Sequence, residues 1–149
     1  MEQPPLEMTI AATVRTGEYT GHHRLAVTLG HAPDDPLALR MDLYLTGAGL
    51  PDATWVFGRD LLATGLILPS GEGDVRVRPH GEDETDIELV SGRSWCVVRM
   101  AADDVRDFVA GTRSAADSCA ERISVALDRM LTETLRRGVR NTDSRPPHP

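Results

Sequence analysis

Ile10, Ala12 and Val14 alternate with polar neighbours near the start of the chain, and Leu25, Val27 and Leu29 do the same after the His22-His23 turn region. A period of two puts successive side chains on opposite faces, so both stretches predict half-buried strands. The strongest such pattern follows Asp34-Asp35-Pro36. Leu37, Leu39, Met41, Leu43 and Leu45 take one face there, and Arg40, Asp42, Tyr44 and Thr46 take the other. Turn formers from Gly47 to Asp52 then precede a short strand, Thr54 to Phe57. Arg59 to Thr64 fits a brief helix, with Gly65 as its left-handed C-terminal cap.

Pro69-Ser70-Gly71-Glu72-Gly73 reads as a loop and Asp74 to Pro79 as the strand after it. His80 to Glu84 makes an acidic hairpin loop, and Ile87-Glu88-Leu89 and Trp95-Cys96-Val97-Val98 pair about the Ser91-Gly92 turn. The period then changes to 3.6. Val105, Phe108 and Val109 mark one helix, closed by Gly111. Ile123, Leu127, Met130, Leu131, Thr134 and Leu135 mark a longer one, closed by Gly138, whose stripe is expected to be mostly core and in part a subunit contact. Strands grouped before helices predict an α+β domain: two antiparallel sheets, a short helix between the strand groups and two C-terminal helices. The expected organisation is a flexible lead over residues 1–7, one domain over 8–139 and a disordered tail over 140–149.

Composition narrows the function. A length of 149 residues suits one domain, and 23 acidic against 16 cationic side chains give a net charge of -7. That balance offers no general attraction for phosphate backbones or anionic lipid. All 16 cations are arginine, which removes Schiff-base chemistry and a lysine-dependent phosphate loop. No run approaches the ~20 apolar residues of a bilayer span, so a membrane would be reached only through a partner. Cys96 and Cys119 form no Cys-x-x-Cys pair, and the reducing cytoplasm is the expected compartment.

Candidate chemistry mostly dissolves on inspection. The Gly71-Glu72-Gly73 segment precedes a strand rather than a helix and carries an acid where phosphate would sit, so a tight turn is the reading. His22, His23, His31 and His80 show no ligand spacing, with or without Asp34 and Asp35. Glu82, Asp83, Glu84 and Asp86 lack the calcium-loop pattern and read as a solvated hairpin tip. Ser70 and Ser94 lack a nucleophile elbow, and apolar neighbours of Cys96 would raise its pKa. Neither catalytic group, metal site nor cofactor site is assigned. Arg76 and Arg78 share a strand face, where they could hold a partner's carboxylates or two successive phosphates.

One string is informative as a string. Trp55-Val56-Phe57-Gly58-Arg59-Asp60-Leu61-Leu62-Ala63-Thr64-Gly65-Leu66 resembles the Trp-Val-Phe-x-Arg-Asp-Leu-Leu-x-x-Gly signature of the SsgA-like proteins, sporulation and cell-division proteins of filamentous actinomycetes. Pro69 to Pro79 resembles the family's Pro-x-Gly-x-Gly-Asp-Val-x-Val-x-Pro run at the same offset, and Asp35-Pro36 sits where the family places Asp-Pro before an apolar strand. Arg78 replaces the aromatic residue often found before the second motif's last proline. The resemblance, with an SsgB-type subgroup as the expected branch, implies a non-enzymatic adaptor at the division septum. It acts on the tubulin-like protein FtsZ directly or through other SsgA-like proteins. It also implies a Whirly-type fold and homo-oligomers, trimers among them. The competing reading is a single-stranded nucleic-acid-binding module of that fold, which the acidic balance opposes. Within the motif, Trp55, Phe57, Asp60, Gly65 and Gly73 are expected to be structural, with the Trp55 and Phe57 rings buried and Asp60 capping the helix. Arg59, Leu62, Arg76 and Arg78 are the candidate partner-binding residues.

Overall fold

Seven antiparallel strands form one sheet in the order β4-β3-β2-β1-β7-β6-β5, in a computed structural model that describes residues 5–17, 21–46 and 49–144, with side chains as far as Leu135. The elements are β1 (Leu6–Thr16), β2 (His23–His31), β3 (Ala38–Tyr44), β4 (Ala53–Gly58), α1 (Arg59–Gly65), β5 (Val75–His80), β6 (Glu84–Ser91), β7 (Ser94–Ala101) and α2 (Ala102–Ser144). The single sheet corrects the expected pair of sheets, and β1 is the reason. Its 11 residues are long enough to pair with β2 from Leu6 to Val14 along one edge and with β7 from Ala12 to Thr16 along the other. The two strand groups are thereby joined edge to edge through backbone hydrogen bonds.

The alternation read from sequence gives the core face. Ile10, Ala12, Val14, Leu25, Val27, Leu29, Leu39, Met41 and Leu43 are all buried in one cluster with Phe57, Ile87, Leu89 and Val98. The sheet curls. Trp55 on β4 lines the same cavity as Leu89 on β6 and Cys96 on β7, although four strands separate β4 from β6 in the sheet order. The chain passes from edge strand β4 to the opposite edge strand β5 through α1, whose Leu62 is fully buried. Leu37 and Leu45, expected on the core face, lie outside β3 and are exposed. Gly47, part of the expected turn, falls outside the described residues. The visible part of that connection is held by Asp52, whose Oδ2 accepts the Leu45 amide at 2.7 Å.

Two expected glycine stops are not stops. Gly65 and Gly111 are both absent from the glycines with positive φ, and both lie within helices. Their role is space: a Cβ at Gly65 would overlap the Val77 side chain, and one at Gly111 would lie 2.7 Å from Leu6 Cδ2. With Gly111 helical, α2 is one helix and not two, and it continues past residue 138 to Ser144. β1 begins at Leu6, inside the stretch expected to be a flexible lead, and α2 enters the expected tail; residues 1–4 and 145–149 lie outside the described residues.

The chain divides into two compact units, Met1–Ala115 and Ala116–Pro149. The first contains the sheet, α1 and the opening turns of α2, where Val105, Phe108 and Val109 complete the core cluster. The second is helical through Ser144. Its Ile123, Leu127, Met130, Leu131 and Leu135 side chains are 45% to 69% exposed, so the stripe expected to be mostly core is solvent-facing in the single chain.

Candidate partner-binding surface

The polar face of the sheet is organised by cross-strand arginines. Arg40 on β3 reaches across β2 to place Nη2 2.8 Å from Glu7 Oε1 on β1, while its Nε donates to Asp42 Oδ2 at 3.0 Å. The crossing requires Gly30, which stands opposite both Glu7 and Arg40 in register: a Cβ there would lie 2.6 Å from Arg40 Nη2. Thr54 Oγ1 donates to Asp42 Oδ1 at 2.8 Å and extends the network to β4. On the other half of the sheet Arg99 grips the buried Asp86 with Nε at 2.8 Å and Nη2 at 3.1 Å, a fork matched to the two carboxylate oxygens. These hydrogen bonds to carboxylates, from Glu7 first for Arg40 and from Asp86 for Arg99, raise both guanidinium pKa values above their ordinary level. Asp86, expected at a solvated hairpin tip, is therefore an interior ion-pair partner.

The family-signature residues separate into two groups once placed. Arg59 is 8% exposed. Its Nε donates to Thr112 Oγ1 at 2.9 Å, Nη2 to the Val109 carbonyl at 3.4 Å and Nη1 to Asp60 Oδ1 at 3.1 Å. It ties α1 to the first part of α2, and its expected place on a binding surface is corrected. Leu62 is likewise withdrawn from the surface by complete burial. Asp60 makes no side-chain capping bond; Gly58 occupies the cap position, and Asp60 serves the first turn by its charge.

Phe57 is buried and Trp55 half-buried, on the face opposite the exposed Val56, as their alternation requires. In the second motif the turn belongs to Gly71, at φ 103, with no room for a Cβ because the Val75 carbonyl oxygen would lie 2.5 Å away. Gly73 has an ordinary φ and open space beside it. Arg78 is paired with Glu88 at 3.1 Å, leaving Arg76 as the exposed guanidinium of the β5 face.

Sequence reasoning passed over a cavity at one end of the curled sheet. It measures about 440 Å³ and is lined by Trp55 and Trp95, by Leu89 and Cys96, and at its rim by Arg93, Ser91 and Ser94. The Arg15 guanidinium lies over the Trp95 ring, 5.6 Å from its centroid. Burial pushes the Cys96 thiol pKa up. Only the tertiary curl brings Trp55 and Trp95 to one cavity; the weak signal in the sequence was a tryptophan beside the Ser91-Gly92 hairpin turn. Among the described residues no group of three or more His, Cys, Asp or Glu side chains could hold a metal ion, and no helix is long and apolar enough to cross a membrane.

A curled antiparallel sheet followed by a long C-terminal helix is the architecture of a solved SsgA-like sporulation-specific cell division protein from Thermobifida fusca. The two superpose with a TM-score of 0.72 over 90% of this chain and 98% of that one, at 23% sequence identity. The model of the family described as Streptomyces sporulation and cell division protein, SsgA, matches residues 25–121, and this chain belongs to that family. Two of its curated relatives are named SsgB. The sporulation-specific cell division protein SsgB of Saccharopolyspora erythraea is 36% identical over 73% of this chain and 77% of its own length. That of Streptomyces coelicolor is 34% identical over 76% and 91%.

Proposed function

We propose that the chain is a non-enzymatic adaptor in sporulation-specific cell division, supporting septum-site selection and assembly by recruiting or positioning the FtsZ machinery. The observation that carries this reading is the row of solvent-facing apolar side chains from Ile123 to Leu135, since contiguous exposed apolar surface marks a protein contact. Family membership and the names of the SsgB relatives supply the process. The adaptor is a homo-oligomer, with a trimer among the candidate sizes, and works in the cytoplasm at the septum, where it meets FtsZ directly or through other SsgA-like proteins. It needs no cofactor and reaches the membrane only through partners. Arg76 contributes an exposed charge to the partner-facing surface, with Arg78 beside it.

The test is deletion of the gene in a sporulating host, with the labelled protein followed in the complemented strain and FtsZ probed by co-purification. The expected result is loss of sporulation septa, septal fluorescence and recovery of FtsZ or an SsgA-like protein in the complex. Normal septation with diffuse fluorescence would overturn the reading. Single-stranded DNA binding, measured alongside at physiological salt, is expected no tighter than the non-specific range of about 10⁻⁴–10⁻⁶ M. Much tighter binding would favour the Whirly-like nucleic-acid module instead.

A further inference from the structure

We infer that the cavity between Trp55 and Trp95 is a peptide-docking pocket that takes an aromatic or large aliphatic anchor side chain flanked by carboxylates. This deepens the adaptor reading by assigning a site to one of its partners. About 440 Å³ lies within the range of natural ligand sites, and the position at the open end of a curled sheet is one where such sites recur. Leu89 and Cys96 give it an apolar floor, and the two indoles give it walls. Trp95 is 40% exposed yet fixed in place. Gly17 leaves room for the indole, since a Cβ there would lie 2.8 Å from Nε1, and Arg15 covers the ring face at 5.6 Å. A half-exposed, preorganised tryptophan is the side chain type that anchors protein contacts.

Charge selects the occupant. In a chain with net charge -7, no carboxylate lines this cavity among the described residues. Arg40, Arg59, Arg78 and Arg99 each hold a carboxylate within 3.1 Å, whereas Arg93 at the rim and Arg15 on the indole have no ion pair among the described residues. The Arg93 guanidinium in the lining and the Arg15 guanidinium stacked on the Trp95 indole, neither of them ion-paired among the described residues, complement an acidic segment bearing one apolar anchor. A nucleic acid strand fits less well: Arg15 already occupies a face of Trp95 where a base would stack, and the chain's net charge of -7 opposes a phosphate backbone.

The chain has only two tryptophans and both line the pocket, so tryptophan emission, excited where tyrosine does not absorb, reports on it. The full-length protein is titrated with a short synthetic peptide carrying a central phenylalanine between glutamates, with the same peptide bearing glutamines, and with oligothymidylate. The acidic peptide is expected to shift the emission saturably, and the glutamine peptide to bind about tenfold more weakly, as loss of a charge-assisted hydrogen bond would produce. Arg93→Glu, at an exposed hairpin position, is expected to abolish the shift while leaving the melting temperature unchanged. Equal binding of both peptides, a stronger response to oligothymidylate, or a silent emission spectrum would each overturn the proposal. An Arg93→Glu protein that loses the peptide but still reaches the septum would leave the adaptor role standing with a different docking site. One that is recruited normally and also keeps the peptide would overturn the pocket assignment.

Discussion

Arg59 shows how a residue's chemistry can be legible while its role is not. A guanidinium in a sequence motif reads as surface, yet here it satisfies Thr112 Oγ1 and the Val109 carbonyl inside the fold. Arg59→Ala is expected to lower stability by about 2–3 kcal/mol, because each hydrogen bond to a charged group contributes about 1.5–3 kcal/mol, while Thr112 Oγ1 keeps its own bond to the Val109 carbonyl at 2.7 Å. Arg59→Lys should recover only part of this, since an ammonium cannot reproduce the planar fork; chemical denaturation of both variants checks it. The motif glycines divide in the same manner. Gly65→Ala should cost about 1–3 kcal/mol by forcing a methyl into Val77, while Gly73→Ala should stay within about 0.5 kcal/mol of the parent. At Cys96 burial holds the thiol pKa above its ordinary value. The folded pKa being the higher one, its contribution to stability is complete below the unfolded thiol range and declines as pH rises through the folded value. In a Cys119→Ser background, alkylation of Cys96 should therefore reach half its limiting rate at a higher pH in the folded protein than in urea.

At the scale of elements, β1 and α2 decide the architecture. Alternation identified β1 from Ile10 to Val14 and period 3.6 identified both halves of α2, so the type of each element was legible. Their extent was not. Glu7 belongs to β1 because its backbone pairs with Gly30 of β2, and Arg40, 33 residues away in sequence, reaches it over that bare backbone. Gly111 lies inside a continuous helix, and its missing side chain leaves the space that Leu6 fills. In both cases the contact is with a residue distant in the chain, which the local signal does not record. All members of the core cluster lie at or before Val109. A chain ending at Ala115 is thus expected to keep the far-ultraviolet β signal and cooperative unfolding of the parent, and circular dichroism with a thermal melt measures it. Loss of cooperativity would show that the second unit supports the first.

At the scale of the whole molecule, the proposed homo-oligomer would cover the exposed stripe of the second unit with a second copy of the chain. Light scattering at micromolar concentration is expected to give an integral multiple of the 16.2 kDa chain mass. Leu127→Glu with Leu131→Glu should reduce it towards that mass without moving the thermal transition of the sheet. A monomeric parent, or a double variant of unchanged mass, would remove the helix from the contact. Association matters for function because linked copies of a weak site gain avidity of roughly 10²–10⁴ when the client presents repeated subunits.

Sequence alone determined the strand faces, the switch from period two to period 3.6, the α+β class and the acidic balance, all of which depend on residues close together in the chain or on simple sums. It also carried the family, through two long motifs in register. Tertiary structure alone decided that the strands form one curled sheet, that Arg59 and Leu62 are interior, and that Trp55 and Trp95 line one cavity together with Arg93. The physical reason is common to all three. Strand pairing, burial and cavity formation join positions tens of residues apart, and no local period records which edge a strand will meet or which side chain will fill the space beside a glycine.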